Sequence, residues 1–137
     1  MILITGASGN VGKEVLKQAA ASGANVRAAF QTATKAATAH SGVEIATLDF
    51  NQPETLRAAL KGVDKVFLVG PPAQNLVALE RKAVDAIKQA GGAHIVKLSA
   101  TGGRAAIFPR QHAESGITSS RPVCRTRSFV PTDLCRT

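Results

Sequence analysis

Gly6, Gly9 and Gly12 stand three residues apart in Thr5-Gly6-Ala7-Ser8-Gly9-Asn10-Val11-Gly12. Ahead of them lies a short apolar run, Met1-Ile-Leu-Ile4. Behind them the apolar positions Val11, Val15, Leu16 and Ala19 recur at helical spacing. A glycine-rich turn alone need only reverse the chain, but between a strand and a helix it acquires a chemical use. Gly6 permits the tight turn, Gly9 lets backbone approach a pyrophosphate, and Gly12 lets the helix pack closely on the strand. Uncommitted N–H groups and the dipole at the helix start then favour phosphate. The pattern therefore points to a dinucleotide-binding turn, with Gly6, Ser8, Gly9, Asn10, Val11 and Gly12 as its binding candidates.

The next residues bear on which dinucleotide. An NAD site usually carries an acid near the end of the second strand, to bind the ribose 2′-hydroxyl. Here that stretch reads Val26-Arg-Ala-Ala-Phe-Gln-Thr32, with no acid, which removes a repulsion against a 2′-phosphate and favours NADP over NAD. Gln31 occupies the selecting position. Arg27 and Lys35 are the nearest cations, read either as phosphate contacts or as solvated surface charge. Asp49-Phe50 follows the third strand, where Asp49 is either an adenine contact or a turn acid. Gly70-Pro71-Pro72 follows the fourth strand, at the carboxyl edge where such sheets bind ligands.

Positioning these residues requires alternating strands and helices, and the sequence supplies them. Met1–Ile4 is the first strand, and the helix from Val11 to Ala21 closes at Ser22-Gly23. Asn25–Phe30 and Val43–Leu48 read as strands two and three. Asn51-Gln-Pro-Glu54 opens a helix with proline in its first turn, and Leu56, Ala59 and Leu60 form its buried side. Lys65–Val69 is strand four, followed by a long helix over 75–90 that ends at Gly91-Gly92, and by strand five, His94–Leu98. This alternation is the pattern of βαβ units and predicts a Rossmann-type, doubly wound parallel α/β sheet. The sheet is expected to stop after about five strands.

Composition narrows the partners. The chain of 137 residues has room for one domain, and 45% hydrophobic with 19% charged residues is globular. No apolar run is long enough to span a membrane, and no basic leader precedes the first strand, so a soluble cytoplasmic protein without a membrane partner is expected. The formal charge of +8 raises nucleic acid as a partner, but no basic helix face forms and neither Tyr nor Trp is present for stacking. Nucleic-acid binding is therefore not expected. Cys124 and Cys135 give no reason to expect a disulfide.

Several blocks in order resemble the NmrA-like branch of the atypical short-chain dehydrogenases. They are Ile4-Thr-Gly-Ala-Ser-Gly-Asn-Val-Gly12, Gly62-Val-Asp-Lys-Val-Phe-Leu-Val69, His94-Ile-Val-Lys-Leu-Ser-Ala100, and Phe108-Pro-Arg-Gln-His112 with Glu114. The resemblance covers about residues 1–115 and implies a cofactor-binding domain over that span. It also implies NAD(P)H-dependent reduction of a small organic acceptor such as a quinone or dye, or a regulator that binds NAD(P) without turning it over. It places Gly6, Gly9, Asn10, Gly12, Gly70 and Lys97 along the dinucleotide. Members using NADP often carry arginine where this chain has Gln31. The chain contains no tyrosine, so the Tyr-x-x-x-Lys acid of the standard short-chain enzymes is missing, as is common in this branch. Catalysis would then depend on positioning. Ser99 is a helper hydroxyl or a strand-end cap. Lys97 and His112 are more often surface or packing groups than catalysts.

From Gly116 onward the periodicity is lost. Shifted back by one base, the codons for this stretch accommodate A-S-G-L-P-Y-T-F-V-R-P-N-G-F-M-Q-N, which resembles the family's sixth-strand segment. Residues 116–137 are accordingly expected to be an irregular tail, out of frame after a shift between Glu114 and Ile117, or else a divergent natural terminus. On the first reading the sixth strand and the substrate-covering region would be missing, leaving a non-functional truncated fragment.

Overall fold

The structure is a computed structural model that describes residues 1–32 and 42–98 and the backbone of residues 126–129. Its elements are β1 (Ile2–Ile4), α1 (Asn10–Ala21), β2 (Val26–Phe30), β3 (Glu44–Thr47), α2 (Pro53–Leu60), β4 (Lys65–Leu68), α3 (Leu76–Gln89), β5 (His94–Leu98) and β6 (Thr126–Phe129). Each element up to β5 lies within a residue or so of its sequence-predicted bounds. The strands form one sheet in the order β3-β2-β1-β4-β5-β6. Every adjacent pair is parallel. The chain leaves β1 toward β2 and β3, then crosses back to β4 on the other side of β1. Ligands bind where the order reverses in this way, at the carboxyl ends of the strands.

All five residues of β2 are buried, because helices cover both faces of the sheet there. On one face Leu3, Ala29, Val66, Leu68 and Ile95 pack against Leu56, Ala59 and Leu60 of α2 and Leu79, Ala83, Val84 and Ile87 of α3. On the other face Ile4, Val26, Ala28 and Phe30 pack against Leu16 of α1, with Val15 and Ala19 beside it. Each buried Leu or Ile contributes roughly 1.5–3 kcal/mol relative to exposure, so these two clusters hold the helices to the sheet.

The structure alters two expectations. Arg27 is neither solvated nor a phosphate contact: it is buried on β2. Its guanidinium donates to the Ala59 carbonyl (2.7 Å) and the Lys61 carbonyl (2.7 Å), and to Glu44 of β3 (2.8 Å). It thus satisfies carbonyls at the end of α2 that have no partner within the helix. Second, the sheet carries one strand more than expected. Thr126–Phe129 lies parallel to β5, from Ile95↔Thr126 to Leu98↔Phe129. A strand this short takes its place from the ladder offered by the β5 edge, which side-chain periodicity does not reveal. Residues 116–125 and 130–137 of the expected tail lie outside the described residues, as do Lys35, Ser99 and His112. No helix among the described residues is long and apolar enough to cross a membrane.

Candidate functional site

A cleft of about 250 Å³ opens at the carboxyl edge of β1, β2, β3 and β4. Its floor is the glycine turn. Gly6 sits at φ +63°, where a side chain is strained, and the Gly9 N–H donates to the Gly6 carbonyl (2.9 Å). A Cβ on Gly12 would lie 2.1 Å from the Gly6 carbonyl oxygen. Gly12 is therefore required by packing of α1 on the turn itself rather than on the strand. Gly9 differs: a Cβ there would come no closer to protein than 3.3 Å. Its small size leaves room above the turn that the fold does not use.

Gly9 is also the N-cap of α1, with extended backbone, no side-chain cap and no acid in the first turn. The N–H groups of the first turn have no acceptor within the helix. Together with the helix dipole they form a positive corner at the cleft floor.

The walls come from three further strand ends. Ala29 and the exposed Gln31 close β2, and Leu48, Asp49, Phe50 and Asn51 follow β3. Val69, Gly70, Pro71 and Pro72 follow β4, backed by Leu79 of α3. Asp49 fills the expected turn-acid role and stands in the cleft wall. Its residue lines the cleft, while its carboxylate accepts from the Asn51 N–H (2.8 Å) and from the Gln52 side chain (3.4 Å). Thr55 ties the same loop from α2 by accepting from the Asp49 N–H (3.0 Å). No Lys or Arg lines the cleft among the described residues.

Thr5 fixes the distance between floor and wall. Its hydroxyl accepts from the Val69 N–H (2.7 Å) and lies 3.0 Å from the Val69 carbonyl and 3.2 Å from the Phe67 carbonyl, donating to one of them. The end of β1 is thereby pinned to the end of β4, next to Gly70.

Of the sequence-predicted residues, the cleft gathers Gly6, Ser8, Gly9, Gln31, Asp49, Phe50 and Gly70. Asn10, Val11 and Gly12 form the adjoining first turn of α1. Lys97 does not line the cleft. It is fully buried on β5, with its ammonium 3.4 Å from the carboxylate of Glu80 on α3, itself 1% exposed. Burial pushes the Glu80 carboxyl up to about 7 against the opposing pull of Lys97, and burial likewise lowers Lys97 against the pull of Glu80. Thr5, Ala29, Asn51 and Glu80 were not singled out from sequence. Strand ends in a parallel sheet were the available signal for the first three. For Glu80 the signal was an acid on the apolar face of its helix.

A parallel sheet with a glycine turn at its reversal point defines a Rossmann dinucleotide-binding unit. Residues 6–120 match the NAD(P)H-binding family. An NAD(P)H azoreductase of Xenophilus azovorans is 37% identical over 103 residues, covering 74% of this chain and 36% of its own length. The crystal structure of the Citrobacter sp. triphenylmethane reductase complexed with NADP(H) superposes with a TM-score of 0.76 at 29% identity, over 86% of this chain and 44% of that one. A structure of an Escherichia coli NADPH-dependent quinone oxidoreductase complexed with NADPH superposes with a TM-score of 0.76 at 26% identity, over 85% and 44%. The chain belongs to the NAD(P)H-binding family, in the NmrA-like branch of the atypical short-chain dehydrogenases/reductases. It spans less than half the length of these relatives. The uncapped α1 terminus and the room above Gly9 fit the pyrophosphate of such a cofactor.

Proposed function

We propose that this chain is the cofactor-holding part of a reductase that takes NADP(H) and serves a small organic acceptor such as a quinone or dye. The observation that carries this reading is the uncapped N-terminus of α1, which adjoins an open cleft at the reversal point of the sheet. The backbone N–H groups from Gly9 to Gly12 would hold the pyrophosphate. Gln31 and the Asp49–Asn51 loop would border the adenosine side, and Gly70-Pro71-Pro72 the opposite wall. When bound, the nicotinamide supplies the hydride, and the chain supplies orientation.

NADP is favoured over NAD because the end of β2 offers Gln31 and no acid. Lys35 supplies the nearest cation in sequence for a 2′-phosphate. The triphenylmethane reductase and quinone oxidoreductase complexes named above hold NADP(H) and NADPH, which supports the same preference.

A second reading, a regulator that senses NAD(P) without turnover, is favoured by one observation. Asp49 is the only ionisable side chain lining the cleft among the described residues, and its carboxylate is committed to its own loop. Following NADPH absorbance with a quinone and with an azo dye separates the two. Steady oxidation supports the reductase. Saturable binding of NADPH and NADP without oxidation supports the sensor, and no binding of either contradicts both.

A further inference from the structure

The Glu80–Lys97 pair sits directly behind the Gly70 wall. Glu80 belongs to the face of α3 that also carries Leu76, Leu79, Ala83, Val84 and Ile87. Its Oε2 lies 3.4 Å from Lys97 Nζ, which also donates to the Leu98 carbonyl (3.3 Å). The Glu80 carboxylate lies beside the Gly70 backbone, whose N–H favours its charged form against the burial that raises its pKa. A Cβ on Gly70 would meet Glu80 Oε1 and Leu76 Cδ1, so a larger residue there would push both buried side chains aside. Gly70 in turn lines the cleft.

Burying two opposite charges is costly, and an apolar pair of similar volume is often as stable or more so. Stability alone therefore does not account for an acid and a lysine with essentially no exposure. An apolar pair would, however, leave the Gly70 N–H with no carboxylate beside it. We propose that Glu80 and Lys97 are positioning residues for the cofactor: Lys97 fixes the Glu80 carboxylate, which holds the Gly70 amide and so sets the height of the Gly70–Pro72 wall. The clamp joins β5, α3 and the loop after β4 without touching the ligand. It rests on the reading that the cleft binds NAD(P)H.

Two double variants of the 137-residue chain test it. Glu80→Leu/Lys97→Met removes both charges and the acceptor. Glu80→Gln/Lys97→Met removes both charges but keeps an amide oxygen for Gly70. Calorimetric titration with NADPH, amide exchange at Gly70 without cofactor, and thermal melting are compared with the parent. Both variants are expected to melt cooperatively. The leucine variant is expected to bind NADPH about tenfold more weakly, the cost of one lost buried hydrogen bond, and to exchange its Gly70 amide faster. The glutamine variant is expected to recover most of both.

Parent-like affinity and Gly70 protection in the leucine variant overturn the proposal. If that variant does not fold, Lys97→Met alone decides, since it leaves the carboxylate unfixed. Weaker binding and faster Gly70 exchange support the clamp, and parent values overturn it. If the parent binds neither NADPH nor NADH, the cofactor reading fails, and Gly70 exchange still decides whether the clamp exists.

Discussion

Gly9 and Gly12 look alike in sequence and differ in what they do. A Cβ at Gly12 collides with the turn at 2.1 Å, whereas one at Gly9 meets only the Gly6 carbonyl oxygen, at 3.3 Å. Gly12→Ala is therefore expected to destabilise the fold by roughly 2 kcal/mol, a typical cost of overpacking, visible as a lowered melting temperature. Gly9→Ala is expected to stay within about 1 kcal/mol of the parent, because its backbone is extended and alanine restricts the unfolded chain. It is nonetheless expected to weaken NADPH binding strongly, since the added methyl occupies the room over the α1 terminus. Gln31, exposed at the end of β2, offers a complementary gain. Gln31→Arg is expected to raise the preference for NADPH over NADH about tenfold, through a charge-assisted contact to the 2′-phosphate, read from paired titrations. These residues were legible because turn sterics and strand ends are local. Glu80 and Lys97 were not, since their pairing lies across two elements and 17 positions of sequence. Yet both interrupt apolar patterns, Leu76-x-x-Leu79-Glu80 on the helix and Ile95-x-Lys97 on the strand, and those interruptions marked the pair.

Elements in this sheet are tied together by few polar side chains. Arg27 joins β2 to β3 through Glu44 and to the end of α2 through two carbonyls. Arg27→Met would leave those carbonyls without their donor, and a loss of roughly 2 kcal/mol is expected in denaturant unfolding. Cofactor affinity of the folded fraction should not change, because Arg27 does not line the cleft. Its position within a five-residue strand was read correctly, but its role was not, because a cation in a strand declares no partner. Between α3 and β5 the Glu80–Lys97 pair has a signature in pH. The folded-state pKa of Glu80 is raised from 4.5 to about 7 by burial, so the folded state binds its proton more tightly than the unfolded chain. The stabilising contribution is full below about pH 4.5 and is lost as pH rises through about 7. Lys97, lowered by burial, shifts in the opposite sense at alkaline pH: its contribution is present above its ordinary 10.5 and lost as pH falls. Among the described residues, Lys97 is the charged group that faces Glu80. The slope between pH 4.5 and 7 in urea-derived stability is expected in the parent and absent in Glu80→Gln.

The alternation of elements carried most of the architecture: apolar runs covered on both sides became parallel strands, and helical runs became their crossovers. What the pattern did not reveal was β6, a four-residue strand placed by pairing with β5. The reversal of strand order between β2 and β4 about β1 brings the glycine turn, the Asp49–Asn51 loop and Gly70 to one edge. That convergence, more than any one motif, supports the proposal that the cleft is the dinucleotide site. It is tested most directly by backbone NMR of the chain during titration with NADP. Saturable shifts are expected in the amides of Gly9, Asn10, Val11 and Gly70, with none along the groove of Glu44, Ile45, Thr55 and Ala58 between β3 and α2. No shifts in the glycine turn at saturating NADP and NAD, or shifts confined to that groove, would contradict it.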